Sequence, residues 1–282
     1  MGSSDTISQT INLNGEYGMI QLKDIDCYIF DMDGTIYLGD QVIPGAHELL
    51  AHFDATGMPY YFFTNNSSKS PRDYTEKLRR LGFGDYDNSR VISSTHVTIQ
   101  YIRRTYGEGA AIYAVGTPSL LSQLSEAGFD VSDIRVPDCV LVGFDTTYNF
   151  EKACRAVDLL RDGVPFLATN IDAVCPLEGG KVMPDCASIC AMLTHATGRE
   201  PKYLGKPFPE TAAYIVDYTG IPAGKTAVVG DRLYTDMRVA IDNGMVAVGV
   251  LSGEMTMDDI DASEAKPHFL FDSAKELLDA LK

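Results

Sequence analysis

Two carboxylates one residue apart, Asp31 and Asp33, follow an apolar run and are succeeded at once by Gly34 and Thr35. The run from Ile25 to Phe30, broken only by Asp26, reads as a buried strand. In a parallel α/β sheet, ligands collect where strands end at their carboxyl edge, so chemistry is expected at this tip. Gly34 lets the backbone turn so that both acids can face one site. Asp31 can then act as nucleophile and metal ligand, and Asp33 can handle protons. The competing reading is a strand ending in a solvated acidic turn, since D-x-D alone recurs by accident.

Three further clusters supply complementary chemistry. Thr64-Asn65-Asn66-Ser67-Ser68 ends the apolar run Tyr60–Phe63, Lys206-Pro207 lies far downstream, and Gly230-Asp231 ends the run Ala227–Val229, with Asp236 five residues on. Phosphoryl transfer needs each of these parts. A hard divalent cation such as Mg²⁺ takes oxygen ligands, which Asp31, Asp231 and Asp236 can provide. Charge on the transferred group calls for a cation and hydroxyl or N–H donors, which Lys206 and Thr64 offer. An aspartate nucleophile divides one difficult displacement into two through an acyl phosphate. Taken singly, Lys206 is an ordinary surface lysine and Asp236 an acid favouring a helix N-terminus.

The elements that must position these residues alternate β and α. Pro44-Gly45-Ala46 opens a helix whose inner face is Leu49, Leu50 and Phe53 and whose stop is Gly57. Strand, helix and strand with short links make a βαβ unit, so the Asp31 and Thr64 strands should run parallel with both tips on one edge. A helix from Pro71 through Leu78 to Gly82, a strand at Val91-Ile92 and a helix from Ser94 to Tyr106 follow. From about Tyr101 to Arg199 a second α/β unit is expected, with strands Ala111–Val115, Val140–Val142 and Phe166–Ala168 and helices Leu120–Glu126, Glu151–Arg161 and Ala187–Ala196. The first alternation then resumes with a helix to Tyr218, a strand at Ala227–Val229, a helix over Asp236–Asp242, a strand at Val246–Val250 and a closing helix Ser273–Leu281. A domain inserted in a loop accounts for this order better than two tandem domains. Thr64-Asn65 is echoed by Thr169-Asn170 in the inserted unit. Thr64 is assigned to the chemistry, and Asn170 and Asp172 are kept as substrate contacts.

Composition narrows the partners. The chain has 282 residues, 45% of them hydrophobic, and 23 Lys and Arg against 39 acids, a net charge of −16. That balance argues against nucleic acid and anionic membrane, both of which are bound through clustered positive charge. A phosphate-bearing ligand must therefore meet local cations or backbone N–H groups. Six cysteines are scattered without a C-x-x-C pair, so reduced thiols and a cytoplasmic location are expected. Met1-Gly2-Ser3-Ser4-Asp5-Thr6 formally fits an N-myristoylation pattern, but nothing basic follows it, and a flexible polar leader over 1–20 is the reading adopted. The five histidines show no ligand spacing.

Taken together, the Asp31-x-Asp33-Gly34-Thr35, Thr64-Asn65-Asn66, Lys206-Pro207 and Gly230-Asp231…Asp236 clusters resemble, in type and order, the haloacid dehalogenase superfamily of aspartate-nucleophile phosphatases. Asp33 separates the chain from the dehalogenases proper, which lack that second acid. Leu141-Val142-Gly143-Phe144-Asp145, Ala168-Thr169-Asn170-x-Asp172, Gly205-Lys206-Pro207 and Gly230-Asp231-Arg232-Leu233-x-Thr235-Asp236 are similar to the NagD-like, 4-nitrophenylphosphatase branch. One departure is Pro184-Asp185-Cys186-Ala187-Ser188, where that branch has a glycine-rich segment. The resemblance implies a Rossmann-like parallel-sheet α/β core over 1–100 and 200–282, with a large inserted α/β cap over 101–199. It implies that Asp31 attacks phosphorus, that Asp33 protonates the leaving alcohol and then activates water, and that Thr64, the Asn65 backbone N–H, Asn66 and Lys206 hold the phosphoryl oxygens. It further implies Mg²⁺ held by Asp31, the Asp33 carbonyl and Asp231, with Asp236 orienting water or Lys206. The expected function is hydrolysis of a small phosphate monoester, such as a sugar phosphate, a nucleotide or nitrophenyl phosphate. Transfer to an acceptor other than water, and a non-catalytic phospho-ligand sensor, remain alternatives. A homodimer through the cap is expected by the same analogy. Cap residues Asp172, Glu178, Lys181 and Arg199 are either selectors of the leaving group or solvated charges.

Overall fold

The computed structural model describes residues 20–132 and 136–282, and of Glu178 the backbone alone. The expected leader, apart from Ile20, and the Met1–Thr6 pattern lie outside the described residues. The chain packs as two compact units. One holds the chain through Phe62 with Leu81–Phe83 and Ile215–Lys282; the other holds Phe63–Arg80 and Gly84–Tyr214. No helix among the described residues is long and apolar enough to cross a membrane.

In the first unit the apolar runs form parallel strands. Cys27–Phe30, Thr226–Gly230 and Val246–Val250 are buried at every position, as strands covered on both faces must be. They lie in the order Phe269–Phe271, Val246–Val250, Thr226–Gly230, Cys27–Phe30, Tyr60–Thr64. All of these pairings are parallel. Phe30 stands opposite Val229 on one side and Phe62 on the other, so Asp31 and Gly230-Asp231 leave the sheet at the same edge. The helix Ala46–Thr56 buries Leu49, Leu50 and Phe53, as its spacing predicts, and ends at Gly57 with φ 69°. The Phe53 ring meets Tyr28 edge-on at 4.8 Å and Phe30 at 5.4 Å. Burying each such side chain contributes about 1.5–3 kcal/mol, enough to fix the height of the Asp31 strand against that helix.

The second unit has its own four-stranded parallel sheet, in the order Lys202–Tyr203, Phe166–Ala168, Cys139–Val142, Ile112–Val115. Helices Phe150–Arg161 and Cys186–Thr197 pack together, with Ala156, Leu160, Cys186, Cys190 and Leu193 in one core with Val140 and Val142. Leu120 and Leu124 of the helix Pro118–Glu126 join Ile102, Ile112 and Leu141 in a second core. An antiparallel pair, Val174–Pro176 with Val182–Pro184, completes the unit.

Most expected elements occur within a residue or two. The exceptions are short pieces. Tyr37–Leu38 with Gln41–Val42, the Val174 hairpin, Lys202–Tyr203, Phe269–Phe271 and the helix Met257–Ala262 were not expected from the sequence. The helix expected over Asp236–Asp242 is corrected: a π-helical turn Leu233–Met237 precedes the α-helical turn Arg238–Asp242. Asp236 is therefore inside that turn and not at the start of an α-helix.

Candidate active site

In the first unit the carboxylates of Asp31, Asp231 and Asp236 each bring an oxygen within 4.8 Å of the others. The sheet register explains the first two, and the π-helical turn explains the third. That turn swings Asp236 back until its Oδ2 accepts the Arg232 N–H at 3.2 Å, and the residue is wholly buried. Gly230 makes room for it, since a Cβ there would stand 2.3 Å from the Asp236 carboxyl carbon. Asp33 is half-buried in the adjoining turn, which is closed by Gly34 N–H donating to Tyr37 O at 2.7 Å. Its carboxylate is not among the three clustered ones.

Asp231 is held from several sides. Its Oδ2 accepts the Glu254 N–H at 2.8 Å, its carbonyl accepts the Met255 N–H at 2.8 Å, and Thr35 Oγ1 reaches Oδ1 at 3.5 Å. Ser252 Oγ donates to Gly34 O at 2.7 Å, tying the same loop to the Asp33 turn. Gly34 has φ +90°, and a Cβ there would lie 2.2 Å from Asp231 Oδ2, so only glycine fits. Arg232 pairs with Glu254 at 2.7 Å and so pins the loop that clasps Asp231. The sequence reading missed this Ser252–Met255 loop. Its signal was present: Ser252-Gly253 follows the apolar strand Val246–Val250, as Gly34 follows the Asp31 strand.

Burial, with Asp31 and then Asp236 alongside, pushes the Asp231 carboxyl up to about 8; Arg232 and the Glu254 N–H oppose that rise. Three acids packed this closely need a compensating positive charge if all are to ionise. The donor set, all carboxylate oxygen, fits a hard divalent cation such as Mg²⁺ and not a thiophilic one.

In the second unit the other expected residues form one hydrogen-bonded network. Thr64 ends its strand buried, and its Oγ1 accepts the Asn66 N–H at 3.1 Å. The Asn65 carboxamide clasps the Lys206 backbone, its Oδ1 accepting the N–H at 2.8 Å and its Nδ2 donating to the carbonyl at 3.0 Å. Gly205, at φ +73°, is required by this closeness, because a Cβ would stand 2.8 Å from Asn65 Oδ1. Lys206 is 2% exposed; its Nζ donates to Phe63 O at 3.4 Å and lies 5.2 Å over the Phe63 ring. It is therefore no solvated surface lysine. A buried ammonium is costly to hold and is kept where a negative group is to be met.

The loop 64–68 is seated on the carboxyl edge of the second unit's sheet. Ser67 Oγ accepts the Phe144 N–H and pairs with Thr169 Oγ1, both at 2.9 Å, while Thr117 Oγ1 donates to Ser68 O at 2.9 Å. Asn170 and Asp172 are buried in the same network, and Asp172 is no solvated charge. Lys181 and Arg199 are exposed. Asp185, the departure noted in the sequence, caps the helix Cys186–Thr197 by accepting the Cys186 N–H at 2.5 Å.

Comparison with known proteins gives the chain's relatives. A family model described as haloacid dehalogenase-like hydrolase matches residues 28–130, and one described as HAD-hydrolase-like matches residues 203–277. The chain is 31% identical over 261 residues to an acid sugar phosphatase of Staphylococcus aureus, covering 93% of this chain and 100% of that one. Among solved structures it is similar to a 4-nitrophenylphosphatase from Thermotoga maritima, with a TM-score of 0.86 and 38% identity, covering 92% of this chain and 98% of that one. It is also similar to a glycerol phosphate phosphatase from Mycobacterium tuberculosis in complex with magnesium, with a TM-score of 0.82 and 29% identity, covering 90% of this chain and 76% of that one.

Proposed function

Since the chain belongs to the haloacid dehalogenase-like hydrolases and is a phosphoric monoester hydrolase, we propose that it hydrolyses a small phosphate monoester through an aspartyl phosphate on Asp31. The observation that carries this reading is the cluster of Asp31, Asp231 and Asp236 at the end of the parallel strands. Sugar phosphates are the first class to try, given the acid sugar phosphatase and glycerol phosphate phosphatase relatives.

In the proposed sequence an Asp31 carboxylate oxygen bonds to phosphorus, and the bond from phosphorus to the ester oxygen breaks. Asp33 gives its proton to the departing alkoxide. As a carboxylate it then takes a proton from water, whose oxygen attacks phosphorus and breaks the bond to Asp31, releasing inorganic phosphate. Thr64, the Asn65 N–H group, Asn66 and the Lys206 ammonium are assigned to the charge on the phosphoryl oxygens. Asp31, the Asp33 carbonyl and Asp231 would hold Mg²⁺, with Asp236 orienting the shell around it. When bound, the ion neutralises charge on the carboxylates and on the phosphoryl group. The segment 101–199 is proposed as a cap that excludes bulk water from the acyl phosphate. Six scattered cysteines without a C-x-x-C pair support the cytoplasmic reading, and a homodimer through the cap belongs to the same proposal.

The test is phosphate release from a panel of sugar, glycerol, nucleotide and nitrophenyl phosphates with Mg²⁺. Release of inorganic phosphate, lost on chelation, is expected. Tight ester binding without release would favour a sensor, and phosphate appearing on an added alcohol in place of water would favour a transferase.

The raised Asp231 carboxyl makes a separate prediction. In the unfolded chain an aspartate titrates near its ordinary value, about 4. The folded, metal-free protein thus holds a proton the unfolded chain has lost. That stabilising contribution is complete below about pH 4 and is lost as the pH rises through about 8. Mg²⁺ reverses the preference, so its binding near neutrality should release about one proton and tighten as the pH approaches 8. Calorimetric titration in two buffers of different ionisation enthalpy reads this directly. Equal heats in the two buffers would contradict it.

A further inference from the structure

From the hydrogen bonding around Asn65 we infer that Asp172 is a positioning residue, which sets the Lys206 main chain by fixing which way the Asn65 carboxamide faces. Asp172 is 2% exposed, and its side chain is engaged by other side chains of the same unit. Its Oδ2 accepts Asn65 Nδ2 at 2.8 Å and Asn170 Nδ2 at 2.9 Å. Asn170 is itself fixed, accepting from Thr169 Oγ1 at 2.8 Å and donating to Asp185 Oδ1 at 3.2 Å.

An asparagine amide has a donor end and an acceptor end of nearly the same shape, so its two orientations differ only in hydrogen bonding. An ionised carboxylate is acceptor-only. Facing Asp172, Asn65 must present Nδ2, which leaves Oδ1 toward the Lys206 N–H, 2.8 Å away. The flipped amide would place oxygen against both the Asp172 carboxylate and the Lys206 carbonyl, and Nδ2 against the Lys206 N–H, three repulsions at once. Asp172 thus acts on Lys206 through one intervening side chain, across 107 residues to Asn65 and 141 more from Asn65 to Lys206.

This inference rests on the proposed assignment of Lys206 to the phosphoryl oxygens. Every substrate shares that group, so a positioning defect must be blind to the rest of the ester. The experiment compares wild type, D172A, D172L and D172N, as full-length proteins, on nitrophenyl, hexose and glycerol phosphates, with inorganic phosphate as a competitive inhibitor. D172A and D172L should lose kcat/KM by about tenfold to a hundredfold, by one common factor across the esters, and bind inorganic phosphate more weakly. D172N keeps an acceptor oxygen and should recover most of the loss. In a K206A background D172A should cost nothing further, because its effect passes through Lys206. D172L fills the same space without an acceptor, so the comparison survives if D172A does not fold. A loss that differs among esters, or one that persists undiminished in K206A, would overturn the inference. An inactive wild type would overturn the proposed function instead.

Discussion

Replacing Asp31 by asparagine is expected to lower phosphate release by at least about 10⁴-fold, with every ester and at any Mg²⁺ concentration. The amide has the shape of the carboxylate but no anionic oxygen to bond phosphorus, so neither step of the proposed sequence can begin. The fold should be unaffected. Asp31 is half-buried, and its main-chain N–H keeps its bond to Val229 O at 2.8 Å. Removing one of three crowded carboxylates also relieves Asp231, whose raised carboxyl owes part of its shift to Asp31. The metal-free variant should therefore lose less stability than wild type as the pH rises. Activity within tenfold of wild type would mean that another group attacks phosphorus.

Asp33→Asn should cost about 10²–10⁴-fold, the usual worth of a positioned proton donor, and the loss should depend on the leaving group. Sugar alkoxides leave poorly without a proton, so hydrolysis of sugar phosphates should fall by the larger factor. Nitrophenolate is stable as an anion and needs little help in departing. With that ester the first step should persist while the second, which needs Asp33 to activate water, slows. A rapid burst of about one nitrophenolate per protein, followed by slow turnover, is the expected trace. A uniform loss on all esters with no burst would remove Asp33 from both proton transfers.

How much of this was legible in the sequence depended on the range of the signal. Asp31 and Asp231 could be expected side by side because each follows a run of buried residues, and a parallel sheet gathers such ends on one edge; Phe30 opposite Val229 is that rule realised. The function followed from residue types at those tips. Asp236 was found as a ligand candidate but placed on the wrong local structure, because a π-helical turn differs from an α-helical one by a single residue and leaves no periodic trace. Asp172 reads in sequence as a substrate contact or a solvated charge. Its burial arises only when Asn65 and Asn170 converge on one oxygen, which no local pattern contains. Lys202–Tyr203 and Phe269–Phe271 have two and three residues, too few to show alternation, and exist because neighbouring strands accept their hydrogen bonds. Asp185 was visible as a departure, but its work as a helix cap required the Cys186 N–H to be seen beside it.

The claim on which the account stands is a covalent bond between phosphorus and the side chain of residue 31. Wild-type protein mixed with Mg²⁺ and a phosphate ester, quenched in acid within milliseconds and reduced with borohydride, should carry homoserine in place of Asp31 when its peptides are weighed by mass spectrometry. Finding aspartate intact at residue 31 during steady turnover, with the label on another side chain or on none, would contradict it.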